Sequence, residues 1–438
     1  MKTCYLCLVC FFASWVNAQQ KFSATDYVGA LKSATDVMVS DVTSPVAASR
    51  YYAYINLAAY ESAALFDTGY KSLSGSIRQF TSPVLDNDEK YGAEPELTMM
   101  LVVYKMAQRM LPSGFMLKRK IDSLINLHKK SSLPESGLMF SQSAADKIVK
   151  HVTAFAATDG FRQLTNRTRY TPRSGQAYWQ PTPPAFMSPV EPHWNTIRTF
   201  LLDSAQQFKP PVPAKFNLSK GSSFFKQLTE VYNLGKQATS EQRNIASFWD
   251  CNPFAVSQIG HVEFGLKKIS PGGHWIGITG IAAIRAGMSM NETALAHALT
   301  AIALADGFIA CWDEKYRSNR VRPETIIQQA IDPSWKPLLQ TPPFPEYVSG
   351  HSVASHTAAI ILTRIFGEDF SFADDTEVEF GLPVRTFNSF RSAAAEAAIS
   401  RLYGGIHFRD AITAGEWQGK QVGALAAQRF SKHLTHFK

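Results

Sequence analysis

Apolar residues return every three to four positions through most of this chain, and no segment sustains the every-second-residue alternation that a half-buried strand needs. That periodicity commits the backbone to helices. It predicts helices over about 25–41, 45–66, 95–111, 114–130, 139–158, 276–288, 292–310, 351–366, 388–403 and 408–431. The second is signalled best, because Thr43-Ser44-Pro45 combines a cap with proline at the first helical position, and Val46, Tyr52, Ile55, Leu57, Tyr60 and Ala64 continue an apolar stripe. The fold class is therefore all-α, with the helices built into bundles. A stretch rich in proline, arginine, threonine and aromatics at 160–215 reads as a long connection crossing the surface or roofing a cleft. It divides an N-terminal helical half, 19–215, from a C-terminal half, 216–438, with nothing resembling a flexible linker between them.

Residues 1–18 carry Lys2, an apolar run from Cys4 to Val16 and small residues ending at Ala18. This is the pattern of a signal peptide cut before Gln19, and it implies a secreted or periplasmic protein. The run is shorter than the roughly 20 residues that cross a bilayer. No later segment is expected to reach membrane-spanning length, so no membrane span is expected. With Cys4, Cys7 and Cys10 removed, only Cys251 and Cys311 remain, which allows one bridge but no disulfide framework. The formal charge of +8 favours anionic ligands, yet the basic residues are scattered and form no nucleic-acid module. Asn166, Asn217 and Asn291 begin glycosylation tripeptides that matter only in a eukaryotic secretory pathway.

Three fragments carry chemistry. Ser349-Gly350-His351 stands immediately before a strongly helical run, where free backbone N–H groups and the helix dipole attract an anion. Taken alone, that fragment is explained better by an ordinary serine cap. Lys315 and Arg322 lie seven residues apart, and if the interval is helical they share a face that suits a many-oxygened anion. A solvated basic face is the plain alternative, since Arg317 and Arg320 lie there too. Arg401 ends a helix before Gly404-Gly405, and a new helix begins near His407, so one cavity can receive both side chains. His407 then serves as nucleophile or as ligand to a metal-centred oxyanion, or simply as a packed histidine.

Taken in order, lysine, six residues, Arg-Pro, then Ser-Gly-His, then Ser-Arg, five residues and His, the chain from about Trp312 to Asp410 resembles the vanadium-dependent haloperoxidase and type 2 phosphatidic acid phosphatase superfamily, in its soluble bacterial haloperoxidase branch. The resemblance implies that Lys315, Arg322, Arg401, Ser349 and the Gly350 backbone hold the oxygens of vanadate. It implies that His407 bonds vanadium axially, or attacks phosphorus in a phosphatase, and that His351 is the acid-base residue. Two positions depart from the family. Val348 stands where proline usually precedes Ser-Gly-His, and Asp410 is the third residue after His407 where the phosphatase pattern has an aspartate at the fourth, which puts its partnership with His407 in doubt.

The expected function is an exported vanadate-dependent haloperoxidase that oxidises iodide or bromide with hydrogen peroxide, acting on halide or a small organic substrate. A soluble acid phosphatase with phosphate in the same cradle is the alternative, and a non-catalytic phosphate-binding protein the third. Trp312, one helical turn before Lys315, and Phe344, five before Ser349, resemble the halide-pocket aromatics of the haloperoxidase branch, though either can be a core aromatic. Phe248–Pro253 and Gly272–Trp275 are further candidates for the pocket entrance, with capping and core packing as the competing roles. His-Glu-x-x-His, Gly-x-Ser-x-Gly, a phosphate loop and a dinucleotide fingerprint are all missing from the sequence.

Overall fold

Helix starts in this protein are written as side-chain caps. Ser23 and Asp26 form a reciprocal capping box at the head of α1 (Ala24–Ser40), and Ser44 with Pro45 opens α2 (Pro45–Phe66) as the sequence predicts. The computed structural model describes residues 22–131, 133–259 and 262–437, so the signal peptide read at 1–18 lies outside the described residues. The chain continues through α3 (Asn87–Gly92), α4 (Pro95–Met110), α5 (Lys118–Lys129) and α6 (Glu135–Ala157). After the long connection come α7 (Ser223–Gln237), α8 (Ser240–Phe248), α9 (Pro271–Arg285), α10 (Met290–Ser318) and α11 (Pro323–Ala330). The last helices are α12 (Gly350–Phe366), α13 (Phe390–Tyr403), α14 (Arg409–Arg429) and the single turn α15 (Ser431–Leu434). The all-α reading holds. Two short antiparallel hairpins interrupt it, Val256–Ile259 with Val262–Gly265 and Phe372–Asp374 with Arg385–Phe387.

The sequence reading passed over α7, α8 and α11. In α7 only Phe224, Leu228 and Val231 are buried, a narrow stripe on a polar helix that single-sequence periodicity registers weakly. The expectation that no later segment reaches membrane-spanning length needs correction: α10, with 29 residues, is long and apolar enough by length and composition. Its apolar surface is spent inside the protein, where almost every residue from Met290 to Lys315 is buried. It packs against α2, α9, α12 and α14.

One core runs through both halves, joining Tyr27, Leu101, Phe308, Leu362 and Phe430. The 160–215 connection is part of it, not a surface strap alone: Trp194, Ile197, Phe200 and Leu201 are buried. Its anchor is the buried Asp306 carboxylate on α10, which accepts the backbone N–H groups of Phe200 (2.7 Å), Leu201 (2.7 Å) and Leu202 (2.9 Å). Such a buried anion is stable only when fully hydrogen-bonded, and here it fixes the connection across the helix.

A close approach of α12 and α14 positions the site. On α14, Gly415, Gly419 and Gly423 recur every four residues, facing α12. A Cβ at Gly415 would lie 2.8 Å from the Ser349 carbonyl oxygen, and one at Gly419 would lie 2.4 Å from that of Val353. These glycines let α14 lie directly on the turn that begins α12.

Candidate active site

The expected helical interval from Lys315 to Arg322 does not exist. Helix α10 stops at Ser318, because Asn319 adopts the left-handed conformation (φ 52°) and closes the last turn on the Lys315 carbonyl at 2.9 Å. Arg322 is held extended by Pro323 and becomes the residue capping α11. The two cations nevertheless converge, since the chain reverses between them. Lys315 Nζ donates to the carbonyls of Pro345 (3.0 Å), Glu346 (3.1 Å) and Val348 (2.5 Å), tying down the turn that leads into α12. Val348, in the place of the family's proline, is thus secured through its carbonyl, and the Tyr347–Val348 peptide is cis.

Ser349 caps α12, its side chain accepting the Ser352 N–H at 3.3 Å while its own N–H donates to the Ala411 carbonyl at 3.0 Å. Gly350 follows at the cavity wall. Arg322 donates through Nε to the Phe344 carbonyl (2.9 Å) and through Nη1 to the Ile406 carbonyl (2.9 Å), with Nη1 also 3.2 Å from His407 Nε2. Its Nη2 is buried without a partner. Arg401, near the end of α13, donates to Ser400 Oγ (2.9 Å) and to the Ala246 carbonyl (3.2 Å).

His407 is oriented by a residue the sequence reading overlooked. Its Nδ1 lies 2.9 Å from Glu346 Oε1, an oxygen that also accepts the Phe408 N–H at 2.9 Å. A carboxylate on Nδ1 places the ring proton there and leaves the Nε2 lone pair facing Arg322 and the cavity. Asp410 is not a direct partner of His407. It pairs with Arg320 (2.7 Å), and Arg320 lies 3.3 Å from the other oxygen of Glu346, so Asp410 supports the histidine at two removes. A carboxylate inside the apolar Phe344–Val348 run was the available signal, since a charge in such surroundings must be paired.

His351, Arg401, His407, Gly350, Trp312 and Phe344 line a single cavity, together with Asp250, Cys251, Asn252, Pro253 and Pro342. Lys315, Arg322 and Ser349 are buried beside this cavity and not in its lining, with Arg322 Nη1 3.2 Å from His407 Nε2. The Phe248–Pro253 segment therefore does reach the pocket, whereas His274 is buried behind it. Trp312 and Phe344 are in contact, ring centres 4.9 Å apart, with Lys315 Nζ 5.0 Å from the Phe344 ring centre. The 160–215 connection caps this corner: the Val190 carbonyl accepts Trp312 Nε1 (3.2 Å) and Tyr316 Oη (2.6 Å). The bridge left open between Cys251 and Cys311 is not formed. Both are free and buried, Cys251 beside His274 and Cys311 facing the Val348 carbonyl.

The electrostatics call for an anion. Burial pushes Lys315 down to about 7 and Arg322 down to about 10, and it lowers Arg401 as well. Among the described residues none of the three has a carboxylate at ion-pair distance, because Glu346 serves Arg320 and Asp250 serves Lys268. Uncompensated buried cations are costly, and a multiply charged oxyanion offsets that penalty. His407 is held well below the usual histidine range by burial and then by Arg322, Lys315 and Arg401. His351 is lowered likewise, by burial and then by Arg401 and His407, and its Nε2 is buried without a partner. Both imidazoles are neutral, one offering a lone pair and the other an unengaged ring nitrogen.

A family model described as the VCPO second helical-bundle domain matches residues 296–436, the part of the chain that contains every residue of the cradle. No curated protein matches significantly. Among solved structures, a bacterial vanadium-dependent iodoperoxidase is 41% identical, covering 94% of this chain and 98% of its own, with a TM-score of 0.89. A bacterial vanadium-dependent chloroperoxidase matches in its holo form (TM-score 0.65, 15% identity, 90% of this chain and 93% of that one) and in its apo form (0.67, 17%, 90% and 95%). At those identities the chloroperoxidase shares the fold alone.

Proposed function

This chain belongs to the vanadium-dependent haloperoxidases, and on that premise we propose that it oxidises iodide with hydrogen peroxide at the cradle running from Lys315 to His407. The observation that carries the proposal is the His407 ring at the cavity wall, fixed through Nδ1 by Glu346 and with Nε2 3.2 Å from Arg322 Nη1, among buried cations that have no carboxylate partner among the described residues. The choice of iodide is supported by the 41% identical relative, which is an iodoperoxidase over nearly its whole length.

The residues fit vanadate. Arg322 Nη2 is a buried donor without a partner, Arg401 and Lys315 add charge, and the Ser349-Gly350 turn opens α12 with the positive end of its dipole. A Cβ at Gly350 would meet nothing in the protein closer than 3.8 Å, so the glycine is not demanded by packing and leaves that wall bare. Vanadate held there supplies Lewis-acid activation of hydrogen peroxide toward attack by halide, without a change of metal oxidation state. His407 Nε2 would ligate the metal, and Glu346 would keep that nitrogen available by holding the proton on Nδ1. His351, with Nε2 unengaged at the cavity wall, would be the acid-base residue, taking up and returning a proton at that nitrogen. Trp312, Phe344 and Pro342 give halide an apolar, poorly hydrated approach.

We propose further that the protein is exported, a reading supported by Lys2 and the apolar run from Cys4 to Val16. The assay for the activity is iodide oxidation by purified protein with peroxide, run with and without added vanadate beside phosphate-ester hydrolysis. Iodide oxidation that needs vanadate supports the proposal. Ester hydrolysis that vanadate merely inhibits identifies an acid phosphatase instead.

A further inference from the structure

Beside the cavity lies a second cluster, which shares Cys251 with the cavity lining but has no part assigned in the oxyanion cradle. Cys251 follows α8, His274 sits in the first turn of α9, and Glu377 follows the strand Phe372–Asp374. All three are buried, and one potential ligand atom from each lies within 4.8 Å of those of the other two. His274 Nδ1 is 3.3 Å from Cys251 Sγ and 3.1 Å from Glu377 Oε1, and Sγ is 3.7 Å from that oxygen. We propose that Cys251, His274 and Glu377 form a zinc site that fixes the wall of the halide cavity.

Three observations support it. The first is size. Tetrahedral zinc with about 2.3 Å to sulfur and about 2.0–2.1 Å to nitrogen and oxygen sets the sulfur edges at about 3.6 Å and the nitrogen–oxygen edge at about 3.3 Å. The observed triangle lies within a few tenths of an ångström of those edges. The second is the support of the histidine. Its other nitrogen, Nε2, lies 2.7 Å from Asp374 Oδ2, and Asp374 Oδ1 in turn accepts the Thr376 N–H (3.1 Å) and Oγ1 (2.7 Å). A carboxylate on the far nitrogen of a ligating histidine is the usual arrangement of protein zinc sites, since it fixes the tautomer and ring plane. Trp249 stacks on the same ring at 4.6 Å. The third is chemistry: thiolate, imidazole and carboxylate together suit zinc better than the harder ions.

Binding replaces protons by metal at two atoms at most. Cys251 loses its thiol proton to become the thiolate ligand, and His274 Nδ1 presents a lone pair while the Nε2 proton stays on the Asp374 bond. The site then clips three chain segments together. Of these, the Asp250–Asn252 segment lines the cavity beside His351.

The test is titration of chelator-stripped full-length protein with Co2+, followed by competition with Zn2+. We expect one Co2+ per chain, a thiolate-to-cobalt absorption band, its displacement by Zn2+, and a rise in melting temperature with Zn2+. Cys251→Ser should abolish the band, Cys311→Ser should retain it, and Asp374→Asn should weaken binding about 10–100-fold. No stoichiometric uptake, or a band that persists in Cys251→Ser, overturns the proposal. If Cys251→Ser does not fold, Glu377→Gln takes its place, and affinity equal to wild type would be equally fatal. The readout is metal uptake and not halide oxidation, so failure here and failure of the haloperoxidase reading are distinguishable.

Discussion

Glu346 Oε1 lies 2.9 Å from His407 Nδ1, and this one contact decides which ring nitrogen faces the cavity. Glutamine at position 346 keeps the size and, through its amide oxygen, the contacts to Phe408 N–H and Nδ1–H, but it removes the negative charge that holds the Nδ1 proton. Glu346→Gln should weaken vanadate binding about 10–100-fold, the range for losing a carboxylate that orients a ligating histidine. Vanadate titration of the folded variant checks this, and unchanged affinity would remove Glu346 from the site.

Phe344 touches Trp312 and lies over Lys315, between the halide approach and the buried cations. Phe344→Ala should raise the iodide KM several-fold and destabilise the protein by about 3–5 kcal/mol through the cavity left behind. Steady-state kinetics and urea unfolding separate the two effects. A variant with wild-type KM and lower stability would make Phe344 a core residue only.

Two glycines should respond in opposite directions. Gly415→Ala drives a Cβ to 2.8 Å from the Ser349 carbonyl oxygen and 2.9 Å from Ser352 Cβ, so it should displace the turn, cost about 1–3 kcal/mol and weaken vanadate binding. Gly29→Ala, inside α1 with nothing within 4 Å of the new methyl group, should stabilise by about 0.5–1 kcal/mol. Thermal unfolding of both variants is sufficient, and a stabilised Gly415→Ala would contradict the close α12–α14 contact.

Acid should loosen the core at His297. Its Nδ1 donates to the Thr293 carbonyl at 2.8 Å, its Nε2 has no partner, and burial pushes its pKa from 6.5 down to about 4. As pH falls, the unfolded chain takes up this proton first. The contribution is therefore complete above pH 6.5 and is lost progressively toward pH 4, reaching roughly 2–3 kcal/mol there. Urea unfolding at pH 7 and pH 5 should show a smaller drop for His297→Phe than for wild type, and equal drops would contradict the assignment.

Much of this was legible in residue order because helix periodicity and caps are local. The ends of α1, α2 and α12 fall within a residue of their sequence expectations. The residues proposed for the cradle were picked out for another reason: Lys315, Arg322, Ser349, Gly350, Arg401 and His407 stand in an ordered, spaced pattern, even though Arg322 is reached past the helix stop at Asn319 and not along one helix face. What stayed hidden was set by tertiary pairing. Glu346 supports His407 across 61 residues, and Cys251 meets His274 and Glu377 from separate segments. No local period announces such partners; only the rule that buried polar groups need them does.

The most direct measurement of the central claim is iodide oxidation by wild-type and His407→Ala protein, stripped of vanadate and then reloaded. The account predicts that wild type is inactive when stripped and recovers with one vanadate per chain, while His407→Ala stays inactive at any vanadate concentration. Full recovery in His407→Ala, or wild-type activity indifferent to vanadate, would contradict it.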